Sequence, residues 1–277
     1  MPSSTKDIIQ GSSFKALFVG PNGSGKTVGA SSIHLLKGFE KIHFSDFDGR
    51  LEPIKKKYPN ADISYDNYGS RSYDKFREFI DSQTNRPDYD AYVIDSLTSL
   101  TMSNVMWQLR LKGQLGSGKK TKTGLPVTSF DEINVETVLV SELMENIKVL
   151  YETYGKSIIM TAHPISKTFI GEAGGGISNR YESLAAYGNK VPSLVPGFFN
   201  EIYFFEEVPA IMSGEKNKYI VRTQKTNTNN LAKTALNIPS EIEWTNKDLF
   251  PLLNSYIKED ISTGIEPGKP LPGTITL

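Results

Sequence analysis

Residues 20–27 read GPNGSGKT, a G-x-x-x-x-G-K-T spacing in which every residue type suits a phosphate. The glycines at 20, 23 and 25 let backbone N–H groups turn inward, Lys26 brings a cation to the β- and γ-phosphates, and the Thr27 hydroxyl is a magnesium ligand. The expected phosphate-contacting set is Gly20, Pro21, Asn22, Gly23, Ser24, Gly25, Lys26, Thr27 and Val28. A second magnesium ligand is required, and AYVID ends an apolar run at Asp95. Residue 96 is a serine, so no acid stands beside Asp95 to polarise a water. FSDFDG supplies acids at what reads as a neighbouring strand tip, Asp48 as the first choice to orient an attacking water and Asp46 as the second. Residues 46–49 also fit a GTPase D-x-x-G pattern, but that chemistry needs an N-K-x-D base reader. The nearest text, TNKD at 245–248, is one residue short.

These residues need strands to hold them at one edge. Short apolar runs alternate with amphipathic stretches, which predicts an α/β fold with a mainly parallel central sheet flanked by helices. KALFV (15–19), KIHFSDFD (41–48), DAYVID (90–95) and KSIIMTA (156–162) read as strands. NEIYFFEEV (200–208) and KNKYIVRTQK (216–225) read as further strands, antiparallel at one edge. Helical spacing is predicted over 70–84 and 134–154. The segments at about 101–130 and 164–197 read as long flexible loops, which in a compact domain are usually functional. Residues 1–12 form an N-terminal segment, 13–257 the domain, and 258–277, rich in Gly, Pro and Thr, a flexible tail.

Composition narrows the classes. The 277 residues carry 31 Lys and Arg against 31 Asp and Glu, so only local patches speak for a polyanionic partner. Without cysteine there is no disulfide framework and no thiolate metal site, and the three histidines form no zinc pattern. MPSSTKDIIQGSSF lacks the parts of a signal peptide, and no apolar run approaches the roughly 18 residues of a membrane span. A cytoplasmic protein is expected, in the bacterial host if phage-encoded.

GPNGSGKT, FSDFDG, AYVIDSLTSL and SIIMTAH, in this order and spacing, resemble the ATPase core of RecA and RadA recombinases. The resemblance covers about residues 13–245 and is nearest to short RecA-like bacteriophage proteins, some of which anneal single-stranded DNA. It implies a RecA-like P-loop NTPase fold, ATP and Mg2+ as cofactors, single-stranded DNA as partner, and a homo-oligomer, ring or filament. It also implies that His163, at the tip of the strand after Asp95, senses the γ-phosphate and relays it to a DNA-binding loop. The two loops that face nucleic acid in that family coincide with the two unassigned segments. The first has no acid between Ser96 and Phe130 and holds Trp107, Arg110, Lys112, Lys119, Lys120 and Lys122. That mixture suits phosphates and stacked bases. The second holds Lys167 and Arg180 among glycines and aromatics, but also Glu172 and Glu182. A cation from the neighbouring subunit is expected to complete the site. Lys233 stands where a Lys-x-Arg pair would begin, but Ala235 replaces the arginine, leaving Arg222 and Lys225 as substitutes. Two other classes remain open: a small-molecule or nucleoside kinase, and a nucleotide-gated assembly module with little turnover.

Overall fold

The computed structural model describes residues 13–114, 130–170, 177–210, 216–227 and 229–262. Its strands are β1 (Lys15–Val19), β2 (Ile42–Asp46), β3 (Ser64–Asn67), β4 (Ala91–Asp95), β5 (Ser157–Ala162), β6 (Pro164–Ile170), β7 (Ile177–Leu184), β8 (Glu201–Val208), β9 (Lys218–Arg222) and β10 (Glu241–Glu243). Its helices are α1 (Lys26–Ser31), α2 (Glu52–Lys57), α3 (Tyr73–Asn85), α4 (Leu97–Gln114), α5 (Phe130–Glu152), α6 (Val191–Leu194) and α7 (Leu249–Ser262). The eight-stranded sheet has the order β10-β9-β8-β1-β5-β4-β2-β3. From β8 to β3 all neighbours are parallel, and β9 and β10 add antiparallel pairings at one edge.

β1 lies between β5 and β8 and is buried along its whole length, which is why its sequence is continuously apolar apart from Lys15. Its side chains alternate between two cores. Leu17 and Val19 join Ile94, Met160, Leu143 and Ile147, while Ala16 and Phe18 join Ile33, Tyr203 and Phe250. Helices close both faces. α3 buries Tyr73, Phe76 and Ile80 from one stripe, and α7 buries Leu249, Phe250 and Leu253. Among the described residues no helix is long and apolar enough to cross a membrane.

The structure corrects three expectations. Most of the described part of the first supposed loop is α4, whose apolar residues surround the axis: Leu100, Val105 and Leu109 are buried while Met102, Met106 and Leu111 are exposed. With no single apolar face it shows no helical stripe. The second supposed loop holds the antiparallel β6–β7 hairpin, followed by α6 and a 3-10 turn at Val195–Phe198. The supposed tail begins inside α7, which runs to Ser262. β3 went unread because SYDN is mostly exposed and pairs with β2 alone, so no apolar run announces it.

A histidine inside the sheet sets an acid limit on stability. His43 in β2 is 1% exposed, with Phe79 at 4.3 Å and Tyr89 at 4.9 Å between ring centroids. Its Nδ1 lies 3.3 Å from Ser64 Oγ, and Asp66 is 3.8 Å from Nε2. Burial pulls the imidazole down to about 4, outweighing the opposite pull of Asp66. The unfolded chain protonates this group near 6.5, so between 6.5 and about 4 it binds more protons than the folded one. Stability should fall by roughly 3 kcal/mol across that window. His43→Phe is expected to flatten this limb in urea unfolding followed against pH; an unchanged slope would assign the limb to other groups.

Candidate nucleotide site

Strand register assembles the site. Val19 pairs with Ala162 and Asp46 with Asp95, so the segments leaving β1, β2, β4 and β5 emerge side by side at the carboxyl edge. The loop after β1 enters α1 through Gly23 at φ 80° and Gly25 at φ 90°, values that side-chain-bearing residues rarely take. Gly20 is excluded from substitution by space instead: a Cβ there would lie 2.5 Å from the Phe205 carbonyl oxygen.

Lys26 is 6% exposed, and its Nζ donates to the carbonyls of Gly20 (2.7 Å) and Pro21 (2.9 Å). Burial lowers its ammonium to about 8, while Asp95 and Asp48 pull the other way. Asp95 is 3% exposed and accepts hydrogen bonds from Thr27 Oγ1 (2.7 Å) and from Thr161 Oγ1. Burial raises its carboxyl, and the two hydroxyls oppose that rise. Thr27 and Asp95 thus bring a hydroxyl and a carboxylate together. These are hard oxygen donors of the kind Mg2+ takes when phosphates and water complete its shell. They fit the ion. Among the described residues no group of three or more His, Cys, Asp or Glu forms a separate metal centre.

The two acids of FSDFDG separate in role. Asp46 is 2% exposed, and its Oδ1 accepts the N–H groups of Asp48 (3.0 Å) and Gly49 (2.8 Å), so it shapes the turn. Asp48 lines the cleft. Its Oδ1 accepts from Ser96 Oγ at 3.0 Å, and its Oδ2 lies 3.7 Å from His163 Nε2. Burial alone would push the Asp48 carboxyl up; polar contacts with His163, Ser99 and Ser96 outweigh it and hold it down to about 2. His163 also has Nδ1 3.3 Å from the Gly20 carbonyl oxygen. Its backbone N–H donates to Thr98 Oγ1 (3.1 Å), and that hydroxyl donates to the Ala185 carbonyl (2.8 Å). The Ala185 N–H returns to the His163 carbonyl at 2.7 Å, closing the base of the β6–β7 hairpin.

The cleft has a volume of 530 Å³ and extends past the phosphate loop to an end the sequence did not reveal. Pro53, Lys57, Tyr219, Trp244 and Thr245 line it there. Trp244 lies 5.9 Å from Tyr219 between ring centroids, and its buried Nε1 has no hydrogen-bond partner among the described residues. Lys57 Nζ sits 5.5 Å from the Trp244 ring and pairs with Asp248 at 2.9 Å. The only readable signal was a lone tryptophan between short polar stretches in EIEWTNKD.

The remaining candidates are scattered. Trp107 packs against Tyr73 at 5.6 Å and stays half-buried; Arg110 and Lys112 lie on α4 rather than in a loop. Lys167 and Arg180 are register partners in the β6–β7 hairpin. Lys119, Lys120, Lys122 and Glu172 lie outside the described residues, as do residues 1–12. Arg222 is ion-paired within its own chain, to Glu206 at 2.7 Å and Glu241 at 2.6 Å. Lys233 is exposed and donates to the Pro196 carbonyl at 3.0 Å, while Lys225 is exposed without a partner among the described residues.

A parallel sheet with this loop at the end of β1, opposite Asp95, defines a nucleotide-binding P-loop ATPase-type domain. A family model described as an AAA domain matches residues 12–235, and the chain belongs to that family. No curated protein matches the chain.

Proposed function

We propose that this chain is an ATP-hydrolysing RecA-like protein of the short bacteriophage type, acting on single-stranded DNA in recombination or annealing. The observation that carries hydrolysis is Asp48, held ionised against its burial by His163, Ser99 and Ser96 in the cleft that contains Lys26, Thr27 and Asp95. In this reading Asp48 orients the attacking water, and Lys26 meets the charge growing on the transferred phosphoryl group. Thr27 and Asp95 hold Mg2+, which when bound neutralises charge on the phosphates. His163 answers the γ-phosphate and passes the change through Thr98 to the base of the β6–β7 hairpin.

DNA as partner rests on the resemblance and on the acid-free, lysine-rich sequence that follows α4. Assembly into a ring or filament, with Lys225 or Lys233 reaching a neighbouring site, and a place in the bacterial cytoplasm belong to the same proposal. The engagement of Arg222 inside its own chain favours a second reading, a nucleotide-gated assembly module with little turnover.

Phosphate release from ATP and Mg2+, with and without single-stranded DNA, separates the two. DNA should raise the rate. Lys26→Ala should weaken ATP binding by about 100-fold or more, because a charged donor to the phosphates is lost. ATP binding with neither turnover nor DNA binding would leave the assembly module.

A further inference from the structure

A second concave site lies apart from the nucleotide cleft. It is a groove of 370 Å³ between the turn that opens α3 and the second half of α4, lined by Ser70, Arg71, Asp74, Trp107, Arg110 and Leu111. Arg71 and Arg110 are both exposed, and neither makes a hydrogen bond or ion pair among the described residues. That sets them apart from Arg77, which pairs with Glu142 at 3.1 Å, and from Arg222. The groove walls are tied together: Asn104 Nδ2 on α4 donates to the Tyr73 hydroxyl at 2.8 Å, and Trp107 packs on the same tyrosine. Trp107 is therefore held in one orientation while still lining the groove. The indole is in place before any ligand arrives, so the ordering cost of binding falls on the two arginine side chains.

We propose that this groove takes one nucleotide of single-stranded DNA, with Arg71 and Arg110 gripping the phosphodiester and the Trp107 indole lying against the base. The proposal rests on the DNA reading above and names where that strand is held. Charge selects the ligand. Two guanidinium groups and the Asp74 carboxylate leave one net positive charge, matched to a singly charged phosphodiester rather than to a free polyphosphate. A base meets an indole only when unstacked from its neighbours, so a single strand fits and a duplex does not. α4 also joins this groove to the nucleotide site, because it begins at Leu97, directly after the Ser96 that holds Asp48. Arg71 carries no motif and stands in the sequence YGSRSYD, where only the fold brings it opposite Arg110.

The test is fluorescence anisotropy of a labelled oligothymidylate titrated with the full-length chain over a series of salt concentrations. Arg71→Ala and Arg110→Ala should each weaken binding about three- to tenfold, and the Arg71/Arg110 double variant should lower the salt slope by about 0.7, the share of one phosphate. Arg86→Ala, at the other end of α3, should change neither. ATP-induced thermal stabilisation, retained in all four variants, reports that they are folded. Trp107→Leu should weaken the single strand while leaving the weaker duplex binding unaltered. If the unaltered chain binds and the Arg71/Arg110 double variant binds equally well with the same slope, the groove is wrong and the DNA reading survives. If the unaltered chain binds no oligonucleotide at low salt, both fail.

Discussion

Asp48→Asn is expected to lower phosphate release from ATP by about 10²–10⁴-fold and to leave ATP affinity close to that of the unaltered chain. The substitution keeps the shape of the side chain and an oxygen for Ser96 Oγ, now 3.0 Å from Oδ1, but removes the charge that orients a water. It also removes an anion from a cleft that must receive phosphates, so binding has no reason to weaken. Because its polar neighbours hold the carboxyl down to about 2, Asp48 stays ionised across the neutral range and imposes no acid limb on turnover there. In the proposed mechanism its role is thus to position the water and stabilise developing charge more than to store a proton. Single-turnover phosphate release beside equilibrium ATP binding makes the measurement. An unaltered rate would remove Asp48 from the reaction.

Gly25→Ala is expected to cost roughly 2–5 kcal/mol of stability and to abolish ATP binding. Part of that cost is the backbone: a φ of 90° strains an alanine by about 1–2 kcal/mol. The rest is space, since the new Cβ would lie 2.8 Å from Cζ2 of Trp244 and 3.0 Å from its Cη2. Trp244 is 4% exposed and held against Phe205, so it cannot swing away cheaply. Either response, a tilted loop or a displaced indole, spoils the N–H groups that face the phosphates. Gly38→Ala isolates the backbone part, for Gly38 has a φ of 93° and nothing within 4 Å of the added carbon. Urea unfolding of both variants should separate them by the packing cost; equal losses would mean that the Trp244 contact yields freely.

What could be read from the sequence was what repeats locally. The phosphate loop needs only its own eight positions, and β1, β4 and β5 are announced by continuous apolar runs because both their faces are covered. Asp48 was readable as an acid at a strand tip. It was ranked ahead of Asp46, but the reason Asp46 is engaged elsewhere was not readable, because the turn amides that occupy it exist only once residues 48 and 49 fold back. α4 hid behind apolar residues on all its sides, and the glycines 174–176 disguised a hairpin as a loop. Arg222 looked free because its two carboxylate partners sit on the strands either side of it, 16 and 19 positions away. Trp244 and Tyr219 joined the cleft from the far edge of the sheet, a relation carried by topology alone.

The ring of hydrogen bonds around Thr98 gives the β6–β7 hairpin a fulcrum one hydroxyl wide. Both limbs of the hairpin meet at that oxygen, one through the His163 N–H and the other through the Ala185 carbonyl. Thr98 belongs to the first turn of α4, whose far half forms a wall of the arginine groove. A small rotation of that turn therefore swings two levers at once, the hairpin on one side and the long helix on the other. In the proposed mechanism a shift of His163 beside the γ-phosphate would reach both through that one hydroxyl.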